Sequence, residues 1–160
     1  CIRDRVQKGY PTSTVPSTYP EQSFTAKPRP GLIIQKSEVL LGIHESNTCI
    51  INALSQEQHI GVGGRTYGRP GRIKDSENVP TTELIDPETN EFYPAAVIAE
   101  RFASVGTQSS DRVLTYCGGG IAASATAFLL TILGHTNVGL YDNSLSEWAI
   151  DESLPMEIGD

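Results

Sequence analysis

Val113-Leu114-Thr115-Tyr116-Cys117-Gly118-Gly119-Gly120-Ile121-Ala122-Ala123-Ser124 is the stretch on which the reading of this chain turns. Its first four residues have the character of a strand buried on both faces. A lone cysteine stands at the carboxyl end of that strand, three glycines follow, and a helix begins at once. In open α/β sheets this edge is where ligands bind. Glycines let the backbone adopt positive φ and turn its N–H groups inward, which makes a nest for an anion, and the helix behind adds its positive dipole end. The donors that would hold an anionic substrate also stabilise a sulfur anion, so Cys117 is placed as a nucleophile. The plain alternative is a core cysteine beside a turn. The coincidence of strand, cysteine, glycine turn and helix favours chemistry.

The same alternation extends outward on both sides. Leu32 to Ile34 reads as a short strand, Ser37 as the cap of a helix reaching Gly42, and Thr48 to Asn52 as a second buried strand. A loop rich in glycine and arginine runs from Gly61 to Arg72, and Asn78-Val79-Pro80 closes a short extended piece. Pro94 opens a helix to about Ser104, with Ala96, Ile98, Ala99 and Phe102 as its apolar stripe. After the cysteine loop, a helix from Ile121 to about Leu133 is stopped by Gly134, Val138 to Tyr141 is the last strand, and Ser144 to Ile150 a final helix. Strands alternating with helices imply right-handed crossovers. The fold class expected is α/β, a central parallel sheet of about five strands with helices on both faces.

Residues 1–30 read differently from the rest. Five prolines between positions 8 and 30 prevent any sustained period, so this stretch is expected to be an extended interdomain linker or N-terminal extension, with the globular unit spanning residues 31–160. The opening Cys1-Ile2-Arg3-Asp4-Arg5, without an initiator Met or a basic-then-apolar leader, suggests sequence from the middle of a longer chain. At 160 residues the chain is long enough to bury a real core without covalent staples. Its cysteines, Cys1, Cys49 and Cys117, are odd in number and irregularly spaced, which argues against a disulfide framework or a four-ligand zinc site and suggests reduced thiols in a cytoplasm. A net charge of -7 disfavours a nucleic-acid surface. No apolar run approaches the roughly 18 residues of a membrane span.

At this point the segment resembles the active-site loop of the rhodanese family, the thiosulfate and mercaptopyruvate sulfurtransferases. That family's loop begins with the nucleophilic cysteine, spans six residues and leads into a helix, matching Cys117, Gly118, Gly119, Gly120, Ile121 and Ala122. Y-D-N-S-L-S-E-W, Tyr141 to Trp148, resembles the family's YDGSWSEW, and G-R-I-K-D-S-E-N-V-P, Gly71 to Pro80, resembles GHIPGAVNIP. The resemblance covers residues 31–160, and the proline-rich lead is similar to the linker of tandem-domain members, which implies a preceding N-terminal rhodanese domain as a partner. It implies a persulfide on Cys117, held by the backbone donors of residues 118–122, with a small-molecule sulfur donor and a thiol or cyanide acceptor, and no metal or organic cofactor.

The departures from the family pattern bear on the donor. Mercaptopyruvate-type loops carry a serine where this chain has Gly119, and thiosulfate-type loops carry basic residues where it has Gly118 and Gly119. The family's DAR turn appears as Asn52-Ala53-Leu54, and its anion-binding arginine falls on Gln58. The 61–72 loop offers Arg65, Arg69 and Arg72 in compensation, with Arg65 and Arg69 foremost as substrate ligands. Arg65 stands where mercaptopyruvate enzymes place a carboxylate-binding arginine, and a guanidinium can clamp a carboxylate or sulfonate bidentately. The alternative is a solvated loop whose arginines balance nearby acids.

Other side chains carry less. His44, His59 and His135 are scattered without metal spacing and are expected at the surface or at caps. Cys49 belongs to a strand core, Trp148 is an apolar anchor, and Asp142 and Glu147 are hydrogen-bonding partners near the loop. A phosphatase would need an arginine as the sixth residue after the cysteine, and that position is Ala123. A silent rhodanese-like binding or carrier module would typically lack the nucleophile. The residues therefore suggest thiosulfate as donor, since bare backbone amides suit a small dianion, with a 3-mercaptopyruvate preference resting on Arg65 as the alternative.

Overall fold

The computed structural model describes residues 2–107 and 112–159. Five parallel strands form one sheet in the order β1-β6-β5-β2-β4: β1 is Ile33–Ile34, β2 Thr48–Asn52, β4 Glu77–Asn78, β5 Arg112–Tyr116 and β6 Val138–Tyr141. β5 lies at the centre, paired along its length with β2 (Cys49 opposite Val113, Asn52 opposite Tyr116) and on its other side with β6 (Leu114 opposite Gly139). The expected α/β architecture is thus observed. A separate antiparallel pair, β3 (Arg72–Ile73) with β7 (Met156–Glu157), was not anticipated, and it makes β7 rather than β6 the last strand.

Both faces of the sheet are covered because its central strands are apolar on both. One cluster joins Ile51, Val113, Val138 and Leu140 to Ile98, Phe102, Ala127 and Leu130; the other joins Ile50, Leu114 and Tyr116 to Val39, Leu145 and Trp148. The first is roofed by α4 (Ala95–Ala103) and α5 (Ile121–Ile132), the second by α2 (Lys36–Gly42) and α6 (Ser144–Trp148). A large side chain fully buried here is worth about 1.5–3 kcal/mol, so these two clusters are what fixes the sheet.

Three local expectations are corrected. Gln35, not Ser37, caps α2: its backbone N–H donates to the Glu38 carboxylate at 3.1 Å, and Ser37 lies inside the first turn. On α4 only Ile98 and Phe102 are buried, while Ala96 and Ala99 face solvent, because the helix meets the sheet along a narrow line. Residues 2–7 form a short helix, α1 (Ile2–Gln7), where an irregular lead was expected; residues 10–29 have neither helix nor strand and are exposed. Among the described residues no helix is long and apolar enough to cross a membrane. Cys1 lies outside the described residues.

Candidate active site

β5 delivers Cys117 to the carboxyl edge of the sheet, between the ends of β2 and β6, and the residue is only 3% exposed. Its backbone is gripped by the start of α6. The Cys117 N–H donates to the Ser144 hydroxyl at 3.0 Å, and the Cys117 carbonyl accepts from the Leu145 N–H at 3.1 Å. The Gly118 carbonyl accepts both the Ser146 N–H, at 2.9 Å, and the Ser146 hydroxyl, at 2.5 Å. Ser144 is 0% exposed and donates its one hydroxyl proton to the Tyr141 carbonyl at 2.8 Å. Its φ is 52°, a left-handed conformation that costs a non-glycine residue free energy and persists only where surroundings impose it.

The amides that follow are unspent. Among the described residues none of the N–H groups of residues 118–122 finds an acceptor, and the Ser124 N–H, donating to the Gly120 carbonyl at 2.8 Å, is where the hydrogen bonding of α5 begins. Five free donors at a helix N-terminus beside a cysteine form a site for negative charge. The glycines serve this loop in three different ways. Gly120 has φ 81°, and a Cβ there would stand 2.2 Å from the Asp142 carboxylate. Gly118 is not in that region; its Cβ would lie 1.9 Å from Cζ of Tyr67. Gly119 would meet only the Ser146 hydroxyl at 3.5 Å, an ordinary contact.

The arginines of the 61–72 loop part company. Arg65 is exposed and its guanidinium lies over the Tyr67 ring, 5.1 Å from the centroid. Arg69 is consumed structurally: its side chain donates to the carbonyls of Ala149 (3.2 Å), Trp148 (3.3 Å), Asp151 (2.7 Å) and Leu154 (3.1 Å). Through Nε and Nη2 it caps the carboxyl end of α6, a structural role beside the substrate contact expected of it. Arg72 pairs with Glu157 at 3.5 Å across the β3–β7 ribbon. Gln58, on α3 (Gln56–Ile60) and where the family places an arginine, donates to the Arg65 carbonyl at 2.8 Å and so braces the loop. Between the loop and α6 lies a cavity of about 220 Å3 lined in part by Leu54, Gln58, Arg65, Tyr67 and Leu145.

Residues 36–151 match the family model of the rhodanese-like domain. The chain belongs to the rhodanese-like family. It is 31% identical over 146 residues to the 3-mercaptopyruvate sulfurtransferase of Escherichia coli K12, covering 86% of this chain and 49% of that protein. It is 30% identical over 136 residues to thiosulfate/3-mercaptopyruvate sulfurtransferase 2 of Arabidopsis thaliana, covering 84% of this chain and 40% of that one. The chain therefore spans about half the length of the curated relatives it matches. Among solved structures it resembles the anaerobic ergothioneine biosynthesis enzyme of Chlorobium limicola, with a TM-score of 0.84 at 21% identity over 97% of this chain and 39% of that one, a likeness of fold.

Behind the rhodanese loop, a buried polar network fixes the ends of β2 and β5. The Tyr116 hydroxyl accepts the Ile73 N–H at 3.0 Å and lies 2.7 Å from the Ser76 hydroxyl, which donates to the Ile73 carbonyl at 2.6 Å. Burial pushes the Tyr116 phenol well above its ordinary range, so it stays protonated. Asn52 accepts the Leu54 N–H at 3.0 Å, which orients its amide so that the NH2 group, 3.2 Å from Nδ1 of His59, must donate to it. His59 is consequently a neutral imidazole protonated on Nε2, and burial followed by the nearby Arg72 charge lowers its pKa to about 4. It is buried, against the expectation of a surface or capping role; His44 is exposed as expected, and the His135 backbone N–H donates to the Leu130 carbonyl at the end of α5.

Trp148 is the anchor expected of it, fully buried, edge-on to Tyr141 at 6.1 Å and donating its indole N–H to the Pro155 carbonyl at 3.0 Å. Glu147 accepts from the Tyr141 hydroxyl at 2.6 Å, which holds its carboxyl below the usual range. The residues that sequence reasoning missed are Ser144, Ser146 and Tyr67. The Y-D-N-S-L-S-E-W motif contained the two serines, but only the fold shows that they hold the cysteine loop. Among the described residues no group of His, Cys, Asp or Glu could hold a metal ion.

Proposed function

We propose that this domain transfers a sulfane sulfur from thiosulfate through a persulfide on Cys117 to cyanide or a thiol. The observation that carries the reading is the set of five unpaired amides, residues 118–122, beside a cysteine whose own backbone is fixed from α6. The Cys117 thiolate attacks the outer sulfur of thiosulfate; the new S–S bond forms as the old one breaks, and sulfite leaves with the bonding electron pair. The persulfide carries its charge on the terminal sulfur, where the free amides can donate to it. An acceptor, cyanide or thiolate, then attacks that terminal sulfur, giving thiocyanate or an acceptor persulfide and returning the Cys117 thiolate. Neither step changes the total electron count or needs a cofactor. The odd, dispersed cysteines fit a reducing cytoplasmic setting for this chemistry, and a preceding rhodanese domain completing the cleft is part of the same reading.

A 3-mercaptopyruvate donor is the second reading, favoured by one observation: the exposed Arg65 guanidinium, stacked on Tyr67, is available for a carboxylate. Intact mass of the reduced protein after brief exposure to each donor separates them, with Cys117→Ser as control. A gain of one sulfur atom from thiosulfate, removed by cyanide and absent in the variant, is the expected result. A gain from mercaptopyruvate alone would transfer the assignment to the second donor, and no gain from either would leave a rhodanese-like binding module.

A further inference from the structure

The glycine at position 118 is unusual in being required by a neighbour and not by its own backbone. Its φ lies outside the left-handed region, yet a Cβ there would fall 1.9 Å from Cζ and 2.2 Å from the hydroxyl of Tyr67. The phenol therefore fills the volume in which a side chain of the loop's second residue would stand. It is held there firmly. Gly68 is pressed so closely on the end of α6 that a Cβ would meet the Ala149 carbonyl at 2.8 Å, and Arg69 locks onto the carbonyls of the same helix end. The amino end of α6 meanwhile grips Cys117 and Gly118. One five-residue helix thus sets both the cysteine loop and the aromatic wall that faces it.

Tyr67 has the chemistry of a recognition group as well as a shape. Among the described residues its hydroxyl has no hydrogen-bond partner, although the side chain is half-buried beside the loop. The Arg65 guanidinium on its face adds positive charge to this wall of the site. We propose that Tyr67 is the specificity-determining residue of this site: with Arg65 behind it, it supplies from the 61–72 loop the anion contact that the side-chain-free residues 118 and 119 cannot. It admits to Cys117 a small reagent with an anionic group and excludes bulkier ones. This inference rests on Cys117 being the reacting nucleophile, as proposed above.

The charge and space components are tested without any sulfur donor, by alkylating Cys117 in the full chain with iodoacetate and iodoacetamide. These reagents place a carboxylate or a neutral amide next to the same displaced iodide, and peptide mass identifies the modified cysteine. The iodoacetate-to-iodoacetamide rate ratio is expected to fall about fivefold to tenfold in Tyr67→Phe and in Arg65→Gln, the loss of one hydrogen bond or charge facing an anion. An unchanged ratio in Tyr67→Phe overturns the proposal, whatever Arg65→Gln shows. The space component is read by melting temperature: Gly118→Ser should lower it sharply when Tyr67 is present and little in the Tyr67→Ala background. Equal losses in the two backgrounds would mean that the ring does not hold that volume, and would also overturn it. With thiosulfate, Tyr67→Phe should raise KM about fivefold while the fully loaded persulfide still forms, because one donor to the anion is lost and the nucleophile is not. A chain that takes sulfur from neither donor but shows the alkylation ratios above would overturn the sulfur-transfer reading and leave the role of Tyr67 standing.

Discussion

Replacing Ser144 with alanine should destabilise the domain by about 2–4 kcal/mol and loosen the cysteine loop before it touches any substrate. The hydroxyl accepts the Cys117 N–H at 3.0 Å and donates to the Tyr141 carbonyl at 2.8 Å, at a position that is 0% exposed. Alanine would leave both backbone groups buried and unpaired, each costing about 1–3 kcal/mol, with part recovered by relaxation or a trapped water. Ser144 also sits at φ 52°, so the order of replacements should invert the usual one. Glycine, which loses more chain entropy on folding, should nevertheless be more stable than alanine here by about 1 kcal/mol, because it escapes the left-handed penalty. Urea unfolding with a common slope measures both values, and thiosulfate loading at matched folded fraction measures the effect on Cys117. An alanine variant within about 1 kcal/mol of the parent, or one more stable than the glycine variant, would refute the reasoning.

Two further perturbations follow from the buried network and from the loop. His59 has a folded pKa of about 4 against about 6.5 for an unperturbed histidine, so between those values the unfolded chain binds a proton that the folded one does not. Its contribution is complete above pH 6.5 and is lost as pH falls towards 4; after discounting for residual solvation, about 2 kcal/mol should disappear across that window. Denaturant unfolding at pH 7 and pH 4.5 should show a smaller acid loss in His59→Gln than in the parent, and equal losses would remove His59 from the account. Gly119→Ser, which restores the hydroxyl of mercaptopyruvate-type loops, meets only an ordinary 3.5 Å contact with Ser146. It should fold with stability within about 0.5 kcal/mol of the parent and raise loading from mercaptopyruvate relative to thiosulfate; a donor ratio that does not move would show that the hydroxyl alone does not set the choice.

The centre of the main sheet was legible because β2, β5 and β6 are largely apolar runs, and burial on both faces leaves such runs few alternatives. Thr48–Asn52 and Val138–Tyr141 emerged with the bounds read from sequence, and the position of Cys117 at the carboxyl edge of the sheet was legible because strand, cysteine, glycines and helix adjoin in the chain. The β3–β7 ribbon was not, since its two-residue strands have no period and depend on partners such as Arg72 and Glu157, 85 residues apart. Arg69 shows the same limit. In a glycine-rich loop an arginine reads as a ligand for an anion, and nothing local reveals that four carbonyls between Trp148 and Leu154 converge on it. His59 failed similarly: its burial follows from Asn52, on a neighbouring strand end, turning an amide towards it.

The glycines of the loop carry this distinction into the chemistry. Read along the chain, Gly118, Gly119 and Gly120 are equivalent, and their shared meaning is backbone freedom. In space only Gly120 uses that freedom, Gly118 yields its volume to Tyr67, and Gly119 is constrained by neither. The free amides of residues 118–122 supply dipoles but no net charge, so a side-chain cation nearby would strengthen their hold on an anion. The charge can come only from outside the loop, and among the 61–72 arginines only Arg65 keeps its guanidinium free of backbone carbonyls and acids, since Arg69 is bound to α6 and Arg72 to Glu157. On the proposed reading, Arg65 on Tyr67 supplies the cation that residues 118 and 119 of the loop lack. Restoring a basic residue at 118 without removing the ring should consequently cost activity, although it brings the loop closer to the family pattern.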